Sequence, residues 1–296
     1  MSKSRGECHY RIICSLLTGV CAICGVVLSS AYGRDMIPKR KFSDLLRIVG
    51  NISGLKRLRF VTSHPRYMSL GVVDAVAETS TACECFHIPF QSGSNAVLAT
   101  MGRGHTREKY LHIVDRIRSV STSSLFLYIV CYIDTSKLAP FNLISPISEQ
   151  RLPDAAITAD VIVGFPGETE EQFQETLSLM EEVKFDTVNT AAYSPRPNTP
   201  AATWDNQIDD EAKRDRLHRI NVLVKEHARE RRSRMLGRTI EVLIEERNVR
   251  IPTQVMGRTT HGYIVYCEGD IDSLRGKVVD VLIDDCQTFY LVGTIV

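Results

Sequence analysis

ADVIVGFPGETEEQF, residues 159–173, changes grammar in the middle. Val161, Ile162 and Val163 form a β-branched run that suits extended backbone. Gly164-Phe165-Pro166-Gly167 cannot easily continue a strand, and Thr169 followed by Gln172 is the capping-box pattern of a helix start. Two glycines let a ligand approach the backbone, and the helix N-terminus behind them offers free N–H groups to a carboxylate or phosphate. Glu168 would accept from an amine or a ribose hydroxyl, or would cap the helix; these residues alone leave both open.

The alternation continues on either side. FSDLLRIVGNIS (42–53) places apolar residues at helical spacing, and RLRFVTS (57–63) reads as a short strand. SLGVVDAVAET (69–79) is a second amphipathic helix, FHIPF (86–90) a strand, and HTREKYLHIVDRIRSV (105–120) a helix with Thr106 as N-cap. After the helix bearing Phe173, Leu177 and Met180, TVNTAAYSP (187–195) is the fourth strand. Strands alternating with helices predict parallel pairing, in a barrel or in a doubly wound sheet. In both, ligands sit at the C-terminal strand ends, where TSHPR, QSGS, GFPGE and SPRPNTP all fall. The crossover from Phe86 to Val161 is too long for one βαβ unit. Residues 121–150 therefore read as an insertion on the face opposite the strand-end loops.

A net charge of +1 supplies no global field, so any nucleic-acid surface has to be a local patch. Nine scattered cysteines, an odd number, argue against a disulfide framework. Ile12 to Ala31 carries no charge and follows a basic start, so it reads as a marginal membrane span, a signal-type segment or a buried element. A membrane enters the expectations only through residues 12–31.

From Asp209 to Met235 a charged helix runs to a stop at Gly237, with Leu217, Ile220, Val224 and Ala228 as a narrow apolar seam. Arg229, Arg231, Arg232 and Arg234 concentrate charge near its end. They either complement the helix dipole or contact a phosphate backbone. Beyond Gly237 only short strands remain, five in about sixty residues, which predicts a small OB-like β-barrel. Such a barrel binds RNA or serves only for packing.

RFVTSHPR, FHIPFQSGSNAVLATMGRGHTREKY, PDAAITADVIVGFPGETEEQFQETL and FDTVNTAAYSPRPNTPAATWDNQ occur in this order, before a basic helix and a small barrel. The set resembles the radical S-adenosylmethionine methylthiotransferases, specifically the tRNA 2-methylthio-isopentenyladenosine synthases of cyanobacterial or plastid-like form. The resemblance covers roughly residues 31–296 apart from the insertion. It implies methylthiolation of an isopentenylated adenosine beside the tRNA anticodon. It implies S-adenosylmethionine and a 4Fe-4S cluster as cofactors, and tRNA and a flavodoxin- or ferredoxin-type electron donor as partners. A plastid location follows, with the cytoplasm as the alternative. The fold expected is α/β: a partial radical SAM (β/α) barrel over 35–235, then a TRAM RNA-binding barrel over 236–296, with 1–34 an atypical apolar N-terminal segment.

Carried over by motif, Gln91, Ser92 and Gly93 approach the cofactor's polar end. Ile162, Gly164 and Glu168 line its adenosine, and Tyr193 to Arg196 close the other side. Arg103 is expected to contact cofactor or RNA, and Arg229, Arg231, Arg232 and Arg234 to contact RNA. The family's C-x3-C-x2-C cluster motif is missing: Cys21 and Cys24 would need a third cysteine where Leu17 stands. Cys83 and Cys85 read as core or sheet-edge residues. No metal ligand is therefore assigned, and this chain alone is expected to be catalytically incompetent, with a non-catalytic tRNA-binding module as the alternative. For residues before 35, a membrane or targeting leader, a replacement strand and a reading frame begun inside an intron are the competing readings. Incomplete or misassembled coding sequence is the reading adopted for both that segment and 121–150.

Overall fold

The computed structural model describes residues 37–61, 64–119, 152 and 154–296, together with the backbone of two strands before them. Those two, β1 (Arg11–Ser15) and β2 (Val20–Cys24), pair antiparallel, and β2 runs parallel to β3 (Arg57–Phe60). Part of the uncharged N-terminal stretch thus sits at a strand position beside β3. The rest of it, and the insertion expected at 121–150, lie outside the described residues. No helix among the described residues is long and apolar enough to cross a membrane.

A parallel bridge between Leu58 and Ala82 carries β3 to the segment leading into β4 (Cys85–His87). Strand β4 then pairs parallel with β5 (Ala156–Val163), and β5 with β6 (Thr187–Ala192). Strands adjacent in sequence are therefore adjacent in space. Among the described strands no order reversal occurs, so the sheet is an arc of the barrel type rather than a doubly wound one. Strand β5 shows how its sequence directs this: Ile157, Ala159, Val161 and Val163 are buried, while Thr158, Asp160 and Ile162 are only half-buried. The first set faces the helices and the second lines the concave side.

The helices cover the convex face. They are α1 (Phe42–Gly50), α2 (Leu70–Glu78), the short α3 (Asn95–Thr100), α4 (Arg107–Arg118), α5 (Glu170–Val183) and α6 (Asp210–Ser233). One continuous core joins them to the sheet. It includes Leu46, Phe86, Phe90, Tyr110, Phe173 and Phe185, with the Phe90 and Phe185 rings stacked at 5.2 Å. The seam expected on α6 is present: Ile220, Val224 and Ala228 are buried and Leu217 packs beside them.

Beyond α6, β7 (Thr239–Arg247), β8 (Gln254–Arg258), β9 (Ile264–Glu268), β10 (Val278–Cys286) and β11 (Tyr290–Ile295) close into a barrel. All neighbours pair antiparallel except β9 with β11. Val242, Ile244, Val255, Val265, Val281, Ile283 and Leu291 fill the interior, the inward half of each alternating strand. The sequence-level reading of an α/β sheet followed by a small all-β barrel is the fold observed.

The barrel docks at the N-terminal ends of the sheet strands, away from the glycine loop. Asp186, one residue before β6, accepts from Ile157 N (2.8 Å), from Arg231 Nε (2.9 Å) and from the Tyr263 hydroxyl of the barrel. Arg232 donates to the Asp186 carbonyl at 2.9 Å and lies over the Tyr263 ring. From β3, buried Arg57 donates to the carbonyls of Arg258 and Glu241 in the barrel, and Arg59 pairs with Glu245 at 2.7 Å.

Candidate functional site

The loop after β5 is held by its own carboxylate. Glu168 Oε2 accepts from Gly164 N at 2.7 Å and from Arg216 Nη1 of α6 at 2.9 Å, and the same guanidinium donates to the Glu168 carbonyl. Burial pushes the Glu168 carboxyl above its ordinary range, against the downward pull of the Gly164 N–H and Arg216. Its Oε1 is buried without a partner among the described residues. Gly164 and Gly167 both have φ in the left-handed region, +68° and +80°, where other residues are strained. A Cβ on Gly164 would meet Lys213 Cγ at 2.5 Å, and one on Gly167 would strike the Asn206 amide. Protein side chains therefore fill the space these glycines leave. Glu168 does close a turn, and in doing so it joins the loop to α6.

The loop after β4 is also tied to a helix. Gln91, buried at φ +67°, exchanges backbone hydrogen bonds with β5: its N–H donates to Asp160 O and its carbonyl accepts from Ile162 N, both at 2.9 Å. Ser92 Oγ lies 3.3 Å from Thr176 Oγ1 of α5, which also accepts from Gly93 N at 2.9 Å. A Cβ on Gly93 would come within 2.5 Å of Glu175 O and 2.6 Å of Thr176 Cα. Ser92 and Gly93 thus face α5, and that close backbone approach demands the glycine.

After β6, Tyr193 is half-buried with its ring 5.1 Å from Phe165, which also meets Trp204 at 5.8 Å. These rings, with Val97, Met101 and Ala201, form an apolar cluster over the strand ends. The Tyr193 hydroxyl is buried without a partner among the described residues. Arg196 is exposed, and Ile162 is half-buried on the concave face. Arg103 is half-buried, its charge disfavoured by burial and supported by Asp160. Beside it, burial lowers His105 to about 4, and the His64 and His105 rings meet edge-on at 5.7 Å.

The four arginines of α6 divide into two pairs. Arg229 and Arg234 are exposed. Arg231 and Arg232 are 3% and 4% exposed and bound to Asp186, so their expected phosphate contacts are corrected: both guanidiniums face the sheet–barrel seam. Asp186, 45 residues away in sequence, is the reason, and no local pattern could identify it.

Four residues not singled out from the sequence meet on the concave face. His87 Nδ1 lies 2.8 Å from Thr158 Oγ1, and its Nε2 is 3.4 Å from Asp160 Oδ2. Asn189 Nδ2 donates to Asp160 Oδ1 at 2.9 Å. The available signal was the period-2 alternation of β5, which puts Thr158, Asp160 and Ile162 on one face.

The described cysteines do not suit an iron–sulfur cluster. Cys83 and Cys267 are buried, Cys85 and Cys286 half-buried, and no group of three metal-ligating side chains occurs among the described residues. Burial pushes the Cys85 thiol to about 12 and Cys267 to about 11, which disfavours the thiolate a cluster needs.

Among solved structures, the chain is similar to the archaeal Methanocaldococcus infernus Elp3 with an N-terminal deletion, at 12% identity and a TM-score of 0.36. The alignment covers 71% of this chain and 44% of that one, so it spans under half of that protein's length. Residues 233–296 match the TRAM domain family. The closed five-stranded barrel at the C-terminus is a TRAM domain.

Proposed function

We propose that this chain is part of a radical S-adenosylmethionine methylthiotransferase that acts on tRNA, with the TRAM barrel as its RNA-binding module. The observation that carries the reading is one chain joining two parts: a sequential parallel α/β arc with a glycine loop at its strand ends, and a TRAM barrel fixed to the opposite end. The ordered motif runs described above support the narrower assignment to methylthiolation. Exposed Arg229 and Arg234 supply local positive charge at the end of α6, where the barrel begins.

Ile162, Gln91 and Tyr193 are the residues that would hold S-adenosylmethionine at the strand ends. When bound, that cofactor supplies an activated sulfonium carrying a transferable methyl group. Glu168 and Arg216 keep the β5 loop in place, and the Phe165–Tyr193–Trp204 cluster lays apolar surface over the strand ends. The described thiols do not fit an iron–sulfur cluster. That mismatch favours a second reading, a non-catalytic tRNA-binding module.

Full-length chain should bind tRNA with log affinity falling linearly as log salt rises, losing affinity steeply between about 50 and 200 mM. Replacing Arg229 and Arg234 by alanine should shallow that slope by about one per lost phosphate contact. Absence of tRNA binding at low salt would sink both readings. Anaerobic reconstitution with iron and sulfide separates them, since a stoichiometric cluster absorption in the visible region would exclude the non-catalytic module.

A further inference from the structure

We propose that Asn189, Asp160 and His87 form a site that reads the edge of an adenine base on the concave face of the sheet. It rests on the functional reading above, as a deeper statement about the same end of the protein. Register brings the three together: Asp160 pairs with Asn189 across β5 and β6, and His87 pairs with Thr158 across β4 and β5. The group stays open, with the Asp160 side chain 36% exposed and Asn189 exposed.

The carboxylate decides which way the Asn189 amide lies. Asp160 can only accept, so the group it faces at 2.9 Å is Nδ2. That leaves Oδ1 as an acceptor and the second Nδ2–H as a donor, side by side. Among the described residues no other group bonds either of them. An acceptor next to a donor is the complement of adenine, which presents its N6 amine beside a ring nitrogen. A free asparagine could flip to suit guanine or hypoxanthine, whose O6 is an acceptor, but this one is held.

His87 makes the arrangement stiffer. Its Nδ1 meets Thr158 Oγ1 and its Nε2 faces the other oxygen of Asp160, so the carboxylate is braced from both sides. Two residues further along, Ile162 and Ala191 pair on the same face and are apolar. They supply a flat apolar surface beside the polar edge, as a base requires. The rim holds Arg103, whose charge Asp160 supports.

An adenine base could belong to RNA or to an adenosyl cofactor, and paired probes separate the sources. Full-length chain is titrated with an anticodon stem–loop RNA carrying adenosine 3′ of the anticodon, and with the same RNA carrying inosine there. A second pair is S-adenosylhomocysteine and S-inosylhomocysteine. The adenine member of one pair should bind about tenfold or more tighter than its inosine partner. Asn189→Ala should erase that ratio. Asp160→Asn should release the amide to flip, so inosine binding rises toward that of adenosine, an outcome a merely structural role would not produce. Equal binding of both members in both pairs, or a ratio retained in Asn189→Ala, overturns the site. RNA binding that persists while neither pair discriminates overturns this proposal alone, whereas loss of all RNA binding in the unaltered chain overturns the tRNA reading and leaves the cofactor pair to decide.

Discussion

At the scale of single residues, the strand-end region is shaped by polar groups that burial has made expensive to charge. His105 is 5% exposed, donates from Nε2–H to the Phe90 carbonyl (3.3 Å), and leaves Nδ1 buried without a partner among the described residues. Its value falls to about 4, with desolvation as the main cause and the neighbouring cations adding to it. In the unfolded chain it titrates near its ordinary value, so between about pH 6.5 and 4 the unfolded state binds more protons. Stability therefore rises with pH through that window and is lost as pH falls through it. Lowering the pH from 7 to 5 should cost on the order of 1–2 kcal/mol through this residue. Thermal melts at the two pH values should show that loss, reduced in His105→Gln; an unchanged pH dependence in the variant would count against it. Glu168 shows the complementary economy, since its pairing with Arg216 and Gly164 N–H satisfies one oxygen and leaves the other bare.

Among the elements, α5 governs both strand-end loops. Thr169 accepts from Gln172 N (3.3 Å) while Gln172 Oε1 accepts from Thr169 N (3.0 Å), the capping box legible in the sequence. The loop after β4 then rests on the same helix through Ser92, Gly93 and Thr176. Because Glu175 O and Thr176 Cα are backbone atoms, they cannot rotate away from an added methyl group. Gly93→Ala should destabilise the chain by about 2–3 kcal/mol, read as a fall in the urea midpoint at unchanged slope. A variant as stable as the original would mean that α5 can retreat and that glycine is kept there for another reason.

For the whole molecule, Asp186 is the joint between sheet and barrel. It satisfies a strand N–H, a buried arginine and a barrel tyrosine at once, so removing it leaves Arg231 charged and uncompensated. Asp186→Ala should cost about 3–5 kcal/mol and weaken the coupling of the two parts. Trp204, the single tryptophan, reports on the sheet, and hydrogen exchange of β7–β11 amides reports on the barrel. The two transitions should separate in the variant and coincide in the parent chain. Coincident transitions with an unchanged midpoint would show that the other contacts across the seam, those of Arg57 and Arg59 with the barrel included, join the parts without Asp186.

Much of the architecture was determined by local sequence. β-branched runs, glycine turns and caps act within a few residues, so the strands at 57–60, 156–163 and 187–192, the capped α5 and all five barrel strands are written into their own segments. The glycine loop could likewise be located from its sequence, and the structure gives Gly164 and Gly167 the positive φ that glycine permits. Which partners those segments meet is a different kind of fact. Tertiary structure decided that the strands follow one another around an arc, because pairing is set by the burial of each face rather than by any run of residues. It decided that Arg231 and Arg232 turn inward while Arg229 and Arg234 stay in solvent, because one buried carboxylate 45 residues upstream lies on one side of α6. And it brought His87, Asp160 and Asn189 from three strands into one polar row, an arrangement that exists only once parallel register puts every second side chain on the same wall.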